Sequence, residues 1–268
     1  MLIVSMPTYQ TPWKLLRRAV NSVLTQTYAD LHLVVINDGG PPLQGIEEHP
    51  RLTVFTLPEN RGRYFADAVV TEAINPYPDV LWSVHDSDDW SDRHRFKTLL
   101  PKMKDGAAVA EYWRHREAGK PPFLQRPVVT KIEKPSPGFA HLAHWVSGVY
   151  SSERVQRAGG IHPGFRIGFD TLFTRMVAMT GEVGISDYPG YHWARRTGGS
   201  LTTAPKTRFG SPARLEAKNR LRRLDDLAWQ SRQDPGAVIR ADVPDNLRRE
   251  VEAYAEEMRA VLPVGSAN

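Results

Sequence analysis

Three carboxylates lie close together in the segment Asp86-Ser87-Asp88-Asp89. Such a cluster is repulsive unless a cation or a set of hydrogen-bond donors compensates its charge. Mg²⁺ and Mn²⁺ prefer oxygen ligands, and the phosphate oxygens of a substrate often complete their coordination. The cluster therefore predicts a divalent-cation site that receives a phosphate-bearing ligand. The alternative is a solvated loop or helix N-terminus that uses Asp in its first turn.

Two further segments have the composition of ligand-binding loops. Asn37-Asp38-Gly39-Gly40 combines a carboxylate with glycines that let a ligand approach the backbone closely. Asn60-Arg61-Gly62-Arg63 precedes a predicted helix, where free backbone N–H groups and two guanidinium groups suit a phosphate. Each segment is also compatible with an ordinary surface turn.

These polar segments follow apolar runs that are typical of buried strands. Apolar repeats of three and four residues, typical of helices, alternate with those runs. The predicted strands cover 2–4, 31–36, 52–57 and 80–84, and the predicted helices begin near 12 and cover 63–74. This order predicts an α/β fold with a mostly parallel sheet flanked by helices. Ligands bind at the carboxyl ends of the strands in such sheets, where Thr8, Asp38 and Asp86 lie.

The composition excludes several classes of protein. The chain has 268 residues, 41% of them hydrophobic and 24% charged, which argues against a fibrous or disordered protein. The sequence contains no cysteine, so disulfides and thiol chemistry are excluded. It shows neither an apolar run long enough for a membrane span nor the pattern of a secretory signal. We therefore expect a cytoplasmic protein, either free or peripheral at the inner face of the membrane.

The C-terminal part loses the strand pattern after Ser200 and contains a basic segment. Helices are predicted at 151–158, 170–180, 212–229 and 244–262. Between Lys206 and Arg223 there are seven basic residues and one acid, Glu216. This imbalance predicts a surface that attracts an anionic partner such as nucleic acid, a lipid headgroup or an acidic protein. The alternative is a solvated helix face.

The first hundred residues resemble the family-2 glycosyltransferases, which have the Rossmann-like GT-A fold and use nucleotide-sugar donors. The matching segments are Met6-Pro7-Thr8-Tyr9, 19–28 (AVNSVLTQTY), Val35-Ile36-Asn37-Asp38-Gly39, Glu59-Asn60-Arg61-Gly62 and Asp86-Ser87-Asp88-Asp89. The resemblance implies a catalytic domain over 1–203, with a nucleotide-binding half at 1–100 and an acceptor half at 101–203. Residues 204–268 are then a helical C-terminal extension.

The resemblance also implies roles for residues that contact the donor. Pro7, Thr8 and Tyr9 would line the base pocket, Asp38 would accept a hydrogen bond from the base or ribose, and Asp86 would lie near the ribose. The family usually has Ala-Arg-Asn where this chain has Ala66-Asp67-Ala68. A basic contact is therefore missing, and Arg61 or Arg63 is expected to replace it.

The remaining roles concern the metal, the base and the leaving group. Asp88 would bind Mn²⁺ or Mg²⁺ at the donor diphosphate. Asp170 matches the family's general base, while a role as the N-cap of the following helix is the alternative. In the segment 191–202, Arg195 and Arg196 would hold the leaving diphosphate. The histidine that the family often has in this segment is replaced by Thr197, which leaves His192 as the candidate metal ligand there.

The resemblance implies an inverting, metal-dependent transfer of a sugar from a nucleoside diphosphate donor, a UDP-sugar above all, to a hydroxyl acceptor. The acceptor stays open among a saccharide, a lipid-linked sugar, a protein and a nucleic acid. A nucleotidyltransferase is one alternative, although 8–11 (TYQT) has neither the glycines nor the lysine of its phosphate loop. A non-catalytic sugar- or nucleic-acid-binding module on the same fold is the other.

Overall fold

The computed structural model describes residues 1–105, 108–117, 120–125, 147–195, 205–207, 210–231 and 233–264. The strands are β1 (Leu2–Thr8), β2 (Leu31–Asp38), β3 (Leu52–Leu57), β4 (Leu81–Val84), β5 (Trp90–Ser91), β6 (Ala108–Glu117), β7 (Phe123–Gln125), β8 (Val149–Ser151) and β9 (Gly184–Arg195). The helices are α1 (Trp13–Leu24), α2 (Arg63–Ala73), α3 (Arg95–Leu99), α4 (Ser152–Arg157), α5 (Phe169–Met179), α6 (Pro212–Gln230), α7 (Pro235–Asp242) and α8 (Asp245–Arg259).

These strands form one sheet in the order β3-β2-β1-β4-β8-β6-β9-β5, and β7 pairs with β6 outside this path. The strands β1 to β4 are parallel where they pair, which confirms the parallel sheet predicted for the first half of the chain. The second half is mixed. β8 is antiparallel to β4 and β6, whereas β9 is parallel to β6 and antiparallel to β5.

The central strands supply side chains to a core on each face of the sheet. In β1, Leu2, Val4 and Met6 pack with the apolar face of α1, whereas Ile3 packs with α2 on the other face. All eight residues of β2 are buried, as expected for a parallel strand that is covered by helices on both faces. The sheet is therefore covered on both faces where these strands pair.

The C-terminal helices α6, α7 and α8 belong to the core that contains α2. Buried side chains from the sheet, α2, α5 and these three helices form one continuous hydrophobic cluster. The helix α2 is buried nearly all round because α8 packs against it on the side away from the sheet. The helical extension predicted from the sequence is therefore present and shares a core with the sheet, while its predicted boundary after 203 lies outside the described residues.

The basic segment of the C-terminal part lies mostly on α6. Some of its arginines are bound within the protein, and others are exposed to solvent. Arg214 donates to the Thr207 carbonyl at 2.8 Å, and Arg220 donates to Asp242 at 2.6 Å. Arg222 and Arg223 are exposed. Within the described ranges, α6 and the other helices are all too short or too polar to cross a bilayer.

One glycine is required where two loops of the sheet edge cross. Gly39 has a φ of 70°, and a Cβ at this position would lie 2.1 Å from the carbonyl carbon of Glu59 and 2.2 Å from the nitrogen of Asn60. Backbone cannot yield to such a contact as a flexible side chain could. The loop after β2 can therefore reach the segment before α2 only with glycine at this position.

Candidate active site

The polar residues predicted to bind a ligand meet at one edge of the sheet. Pro7 and Thr8 end β1 beside the last residues of β2, Asp38 ends β2, and Asp86 follows β4. The Thr8 side chain is buried, and its hydroxyl has no hydrogen-bond partner among the residues that the structure describes. Tyr9 is 47% exposed. The structure thus brings these residues together, while their contacts with a base or ribose remain predictions.

The Asp38 carboxylate holds the segment that leads into α2. One oxygen accepts the Arg61 backbone N–H at 2.7 Å, and the other accepts the Gly62 N–H at 2.8 Å and the Asn60 side-chain amide at 3.0 Å. Asp38 is 2% exposed. These bonds give Asp38 a structural role in shaping the loop, in addition to its predicted role toward a ligand.

The first turn of α2 carries a guanidinium group between two carboxylates. Arg63 Nη1 donates to Asp86 Oδ1 at 2.7 Å, and Arg63 Nε lies 3.7 Å from Asp67 Oδ2. Burial alone would lower the pKa of Arg63, but the charges of Asp86 and Asp67 raise it well above its usual value. Asp67 also accepts the Ser5 hydroxyl at 2.7 Å. Burial raises the pKa of Asp67 to about 6, although Arg63 and Ser5 oppose the rise.

Arg61, the other candidate replacement for the missing basic contact, points toward α8. Its guanidinium group forms a bidentate ion pair with Glu250, in which Arg61 Nη2 lies 2.7 Å from Glu250 Oε2. A second ion pair joins Arg61 to Glu59 at 3.2 Å. A contact between Arg61 and a donor remains a prediction and would require the exchange of at least one carboxylate partner. Arg63 is the arginine that the structure places beside Asp86.

The acidic loop after β4 presents its carboxylates in different ways. The side chain of Asp86 is 34% exposed, Asp88 is partly buried, and Asp89 is buried. Asp89 accepts the Tyr191 hydroxyl and the Ala194 backbone N–H, both at 2.7 Å. Burial, followed by the charges of Asp86 and Asp88, raises the pKa of Asp89 well above its usual value.

A stacked arrangement of side chains supports this loop from α1 and β9. Arg18 donates to the Asp88 backbone carbonyl at 2.7 Å, and its guanidinium carbon lies 3.9 Å from the centroid of the Trp90 ring. The His192 ring stacks on Trp90 with centroids 5.0 Å apart, and its Nε2 lies 2.8 Å from Asp92 Oδ1. His192 thus contacts Asp92, while its predicted role as a metal ligand remains a prediction.

The carboxylate predicted to act as a base lies beside the first turn of α2. Tyr64 Oη donates to Asp170 Oδ1 at 2.9 Å and accepts the Asp170 backbone N–H at 3.3 Å. The residue that precedes α5 as its N-cap is Gly168, with a φ of 79°, so Asp170 lies inside the first turn. The alternative that Asp170 caps the helix is therefore wrong. Glycine occupies that position because the chain needs a left-handed conformation there.

The predicted leaving-group arginines lie at the end of β9 and beyond. Arg195 is the last residue of β9, and the structure describes its backbone, which pairs in register with Glu117. Arg196 lies outside the described residues. Their contact with a diphosphate remains a prediction.

Most of the sequence that supplies these residues matches a known family of enzymes. The family model described as "Glycosyl transferase family 2" matches residues 3–179, about two thirds of the chain. The chain belongs to glycosyl transferase family 2. A curated relative, "Glycosyltransferase GlyA" of Streptococcus pneumoniae, is 27% identical over 125 residues, which cover 44% of this chain and 17% of GlyA.

Solved structures of S. aureus TarS share the fold of this family-2 chain. TarS 1-349 in complex with UDP-GlcNAc superposes with a TM-score of 0.62 at 17% identity, covering 95% of this chain and 71% of TarS 1-349. The complex of the same fragment with UDP has a TM-score of 0.58 at 15% identity and covers 98% of this chain and 72% of that one. The chain spans 36% of the longer TarS structure. At these identities the likeness shows the fold, which confirms the predicted GT-A architecture.

Several residues that contact the site were not predicted from the sequence. Tyr64, Arg18, Tyr191 and Glu250 contact the predicted residues from elements that are distant in sequence. Tyr191 lies in the segment 191–202 that was compared with the family, but no role was predicted for it, and the other three lie outside the matching segments. The sequence does contain a signal for the contact between Arg63 and Asp67, because residues four apart lie on the same face of a helix.

Proposed function

We propose that this family-2 chain transfers a sugar from a UDP-sugar to a hydroxyl group of an acceptor, with inversion at the anomeric carbon. The observation that carries the proposal is the convergence of Asp86 and Asp170 on adjacent residues of α2. Arg63 contacts Asp86 at 2.7 Å, and Tyr64 contacts Asp170 at 2.9 Å. A donor-side carboxylate and a candidate base thus face the same turn of the same helix.

The proposed chemistry is a single displacement. Asp170 accepts the proton of the acceptor hydroxyl while the oxygen attacks the anomeric carbon. The bond between that carbon and the diphosphate oxygen breaks as the new glycosidic bond forms, and UDP leaves with the bonding electrons. A carboxylate base suits this step because a sugar hydroxyl is a poor nucleophile until its proton is removed. No covalent intermediate between sugar and protein is required.

The donor side of the proposal relies on the edge formed by β1, β2 and β4. Thr8, Tyr9 and Asp38 would contact the nucleoside, Asp86 would lie near the ribose, and Arg63 supplies the positive charge next to Asp86. Support for uridine as the nucleoside comes from TarS, a structural neighbour that was solved with UDP-GlcNAc and with UDP. Arg195 and Arg196 are proposed to stabilise the departing diphosphate.

The acidic loop fits a divalent cation by the chemistry of its side chains. The loop brings the carboxyl groups of Asp86, Asp88 and Asp89 together, and hard divalent cations prefer such oxygen ligands. Asp88 would hold Mn²⁺ or Mg²⁺ through its carboxylate oxygens. When bound, such an ion neutralises charge on a diphosphate. In the part of the chain that the structure describes, no three acidic, His or Cys side chains are arranged to hold an ion.

Membership of the family favours sugar transfer over the nucleotidyltransferase alternative. A non-catalytic binding module and an enzyme differ in a direct measurement. Purified protein is incubated with UDP-, GDP- and dTDP-sugars, with Mn²⁺ or with EDTA, and the released nucleoside diphosphate is quantified. We expect metal-dependent release from a UDP-sugar.

Two variants test the roles of the acidic residues in that assay. Asp88→Asn should abolish metal-dependent release, and Asp170→Asn should reduce turnover by about 100-fold or more while UDP still binds. Asp79→Asn, which changes an exposed carboxylate elsewhere, serves as the matched control. Binding of UDP without release of product from any donor, with or without added acceptors, would identify a binding module.

A further inference from the structure

Tyr64 is buried at the start of α2 in an orientation that its neighbours define. It is 5% exposed, and its ring packs edge-on against Phe169, with centroids 5.8 Å apart at an angle of 73°. Phe169 is the first residue of α5 and directly precedes Asp170. Its ring provides a packing surface for the Tyr64 ring, and this contact aims the hydroxyl at the neighbouring carboxylate.

The Tyr64 hydroxyl makes two contacts with one residue. It donates to Asp170 Oδ1 at 2.9 Å and accepts the Asp170 backbone N–H at 3.3 Å. Burial, together with the charge of Asp170, raises the pKa of Tyr64 well above its usual value. The phenol therefore stays protonated and acts as a donor toward the carboxylate near neutral pH. No hydrogen bond to Asp170 Oδ2 occurs within the described residues.

We infer that Tyr64 is a positioning residue, which fixes one carboxylate oxygen of Asp170 and leaves the other to accept the proton of the acceptor. The inference rests on the proposed function, in which Asp170 is the base. A carboxylate held by one oxygen cannot rotate freely, so its second oxygen keeps a constant direction toward the substrate. The same hydrogen bond stabilises the charged form of Asp170, which is the form that a base requires.

The charged and titratable groups that act on Asp170 from α2 are Tyr64 and Arg63. The N-terminus of α5, in whose first turn Asp170 lies, also favours its charged form. Loss of the Tyr64 hydroxyl removes one of these three contributions and leaves the other two.

The test compares Tyr64→Phe with Tyr254→Phe. Tyr254 packs against Phe65 of α2 with ring centroids 6.1 Å apart, and its hydroxyl makes no hydrogen bond within the described residues. Tyr254→Phe therefore removes the same atom as Tyr64→Phe without breaking a hydrogen bond. In Tyr64→Phe, we expect the KM for UDP-GlcNAc to stay unchanged, because the Tyr64 hydroxyl contacts Asp170 and not the donor side of the site. The rate of UDP-GlcNAc hydrolysis, with water as acceptor, should fall about tenfold. The affinity for UDP should stay unchanged, and Tyr254→Phe should match the wild type in all three measurements.

A double variant separates this inference from the proposed function. If Tyr64 acts through Asp170, Tyr64→Phe should cause no further loss in the Asp170→Asn background. Wild-type hydrolysis by Tyr64→Phe, or equal losses of activity in both backgrounds, would overturn the role of Tyr64 while leaving the base in place. Wild-type hydrolysis by Asp170→Asn would instead overturn the proposed base, and the inference would fail with it.

Discussion

Asp67 shows how one substitution changes the charge balance of a site. The family usually has a basic residue at this position, and this chain has an acid that pairs with Arg63 one helical turn earlier. In this chain the positive charge on that face of α2 is carried by Arg63, which donates to Asp86 at 2.7 Å. Asp67 is 2% exposed, so its ionised form is stabilised by Arg63 and Ser5 but disfavoured by burial.

The raised pKa of Asp67 predicts a pH dependence of the free energy of unfolding. The pKa of Asp67 is about 6 in the folded protein and 3.8 in its ordinary, unperturbed state. Between these two pH values, the folded protein therefore binds a proton at Asp67 more tightly than the unfolded chain does. Stability from this group is therefore present at low pH and is lost as the pH rises from about 4 to about 6. The difference between the two pKa values corresponds to about 3 kcal/mol.

Asp67→Asn should remove this contribution. We expect the difference in unfolding free energy between wild type and variant to change by up to about 3 kcal/mol between pH 4 and pH 7 in urea titrations, in the direction that favours the variant at higher pH. Asp79→Asn, at an exposed position, should follow the wild-type curve. Parallel curves for wild type and Asp67→Asn would show that Asp67 does not titrate in this range.

At the scale of elements, β9 holds the acidic loop that follows β4. Tyr191 on β9 donates to Asp89 at 2.7 Å and accepts the Asp86 backbone N–H at 3.1 Å. The loop also receives Arg18 from α1, which contacts the Asp88 carbonyl. A strand from the second half of the chain and a helix from the first half therefore set the shape of the candidate cation site together.

Tyr191→Phe should destabilise the protein because it leaves Asp89 and the Asp86 N–H each without one partner. We expect a loss of about 1–3 kcal/mol in the free energy of unfolding, measured by urea titration. Tyr188→Phe is the matched control on the same strand, since the Tyr188 hydroxyl contacts Asp92 at 3.4 Å and should contribute about 0.5 kcal/mol or less. Equal losses of unfolding free energy in the two variants would contradict a larger stabilising contribution from the contact with Asp89.

At the scale of the whole molecule, α8 holds both ends of α2. Glu250 binds Arg61 just before α2 begins, and Arg259 donates to the carbonyls of Glu72 and Ala73 where α2 ends. The backbone of Arg61 in turn donates to Asp38. The C-terminal helix is thus connected to the donor side of the site through two contacts in series.

Glu250→Gln should weaken donor binding although Glu250 contacts the predicted site residues only through Arg61. The ion pair between Glu250 and Arg61 is partly exposed, so its loss should destabilise the bound conformation of the loop at Asp38 by about 1 kcal/mol. The dissociation constant for UDP, measured by calorimetry, should therefore rise about fivefold. Glu256→Gln changes an exposed residue of the same helix and should leave UDP binding unchanged. Tighter UDP binding by Glu250→Gln would indicate that Arg61 itself contacts the donor once it is released.

The sequence alone determined the strands β1 to β4, the helices α1 and α2 and the residues at the strand ends, because buried parallel strands and amphipathic helices are local patterns. It did not determine β6 and β9, whose residues become a strand pair through contacts between distant parts of the chain. The tertiary structure alone decided that Asp170 lies beside Tyr64, that Arg63 rather than Arg61 contacts Asp86, and that α8 supports α2. Such pairings depend on how helices pack on the sheet, which no local pattern of residues specifies.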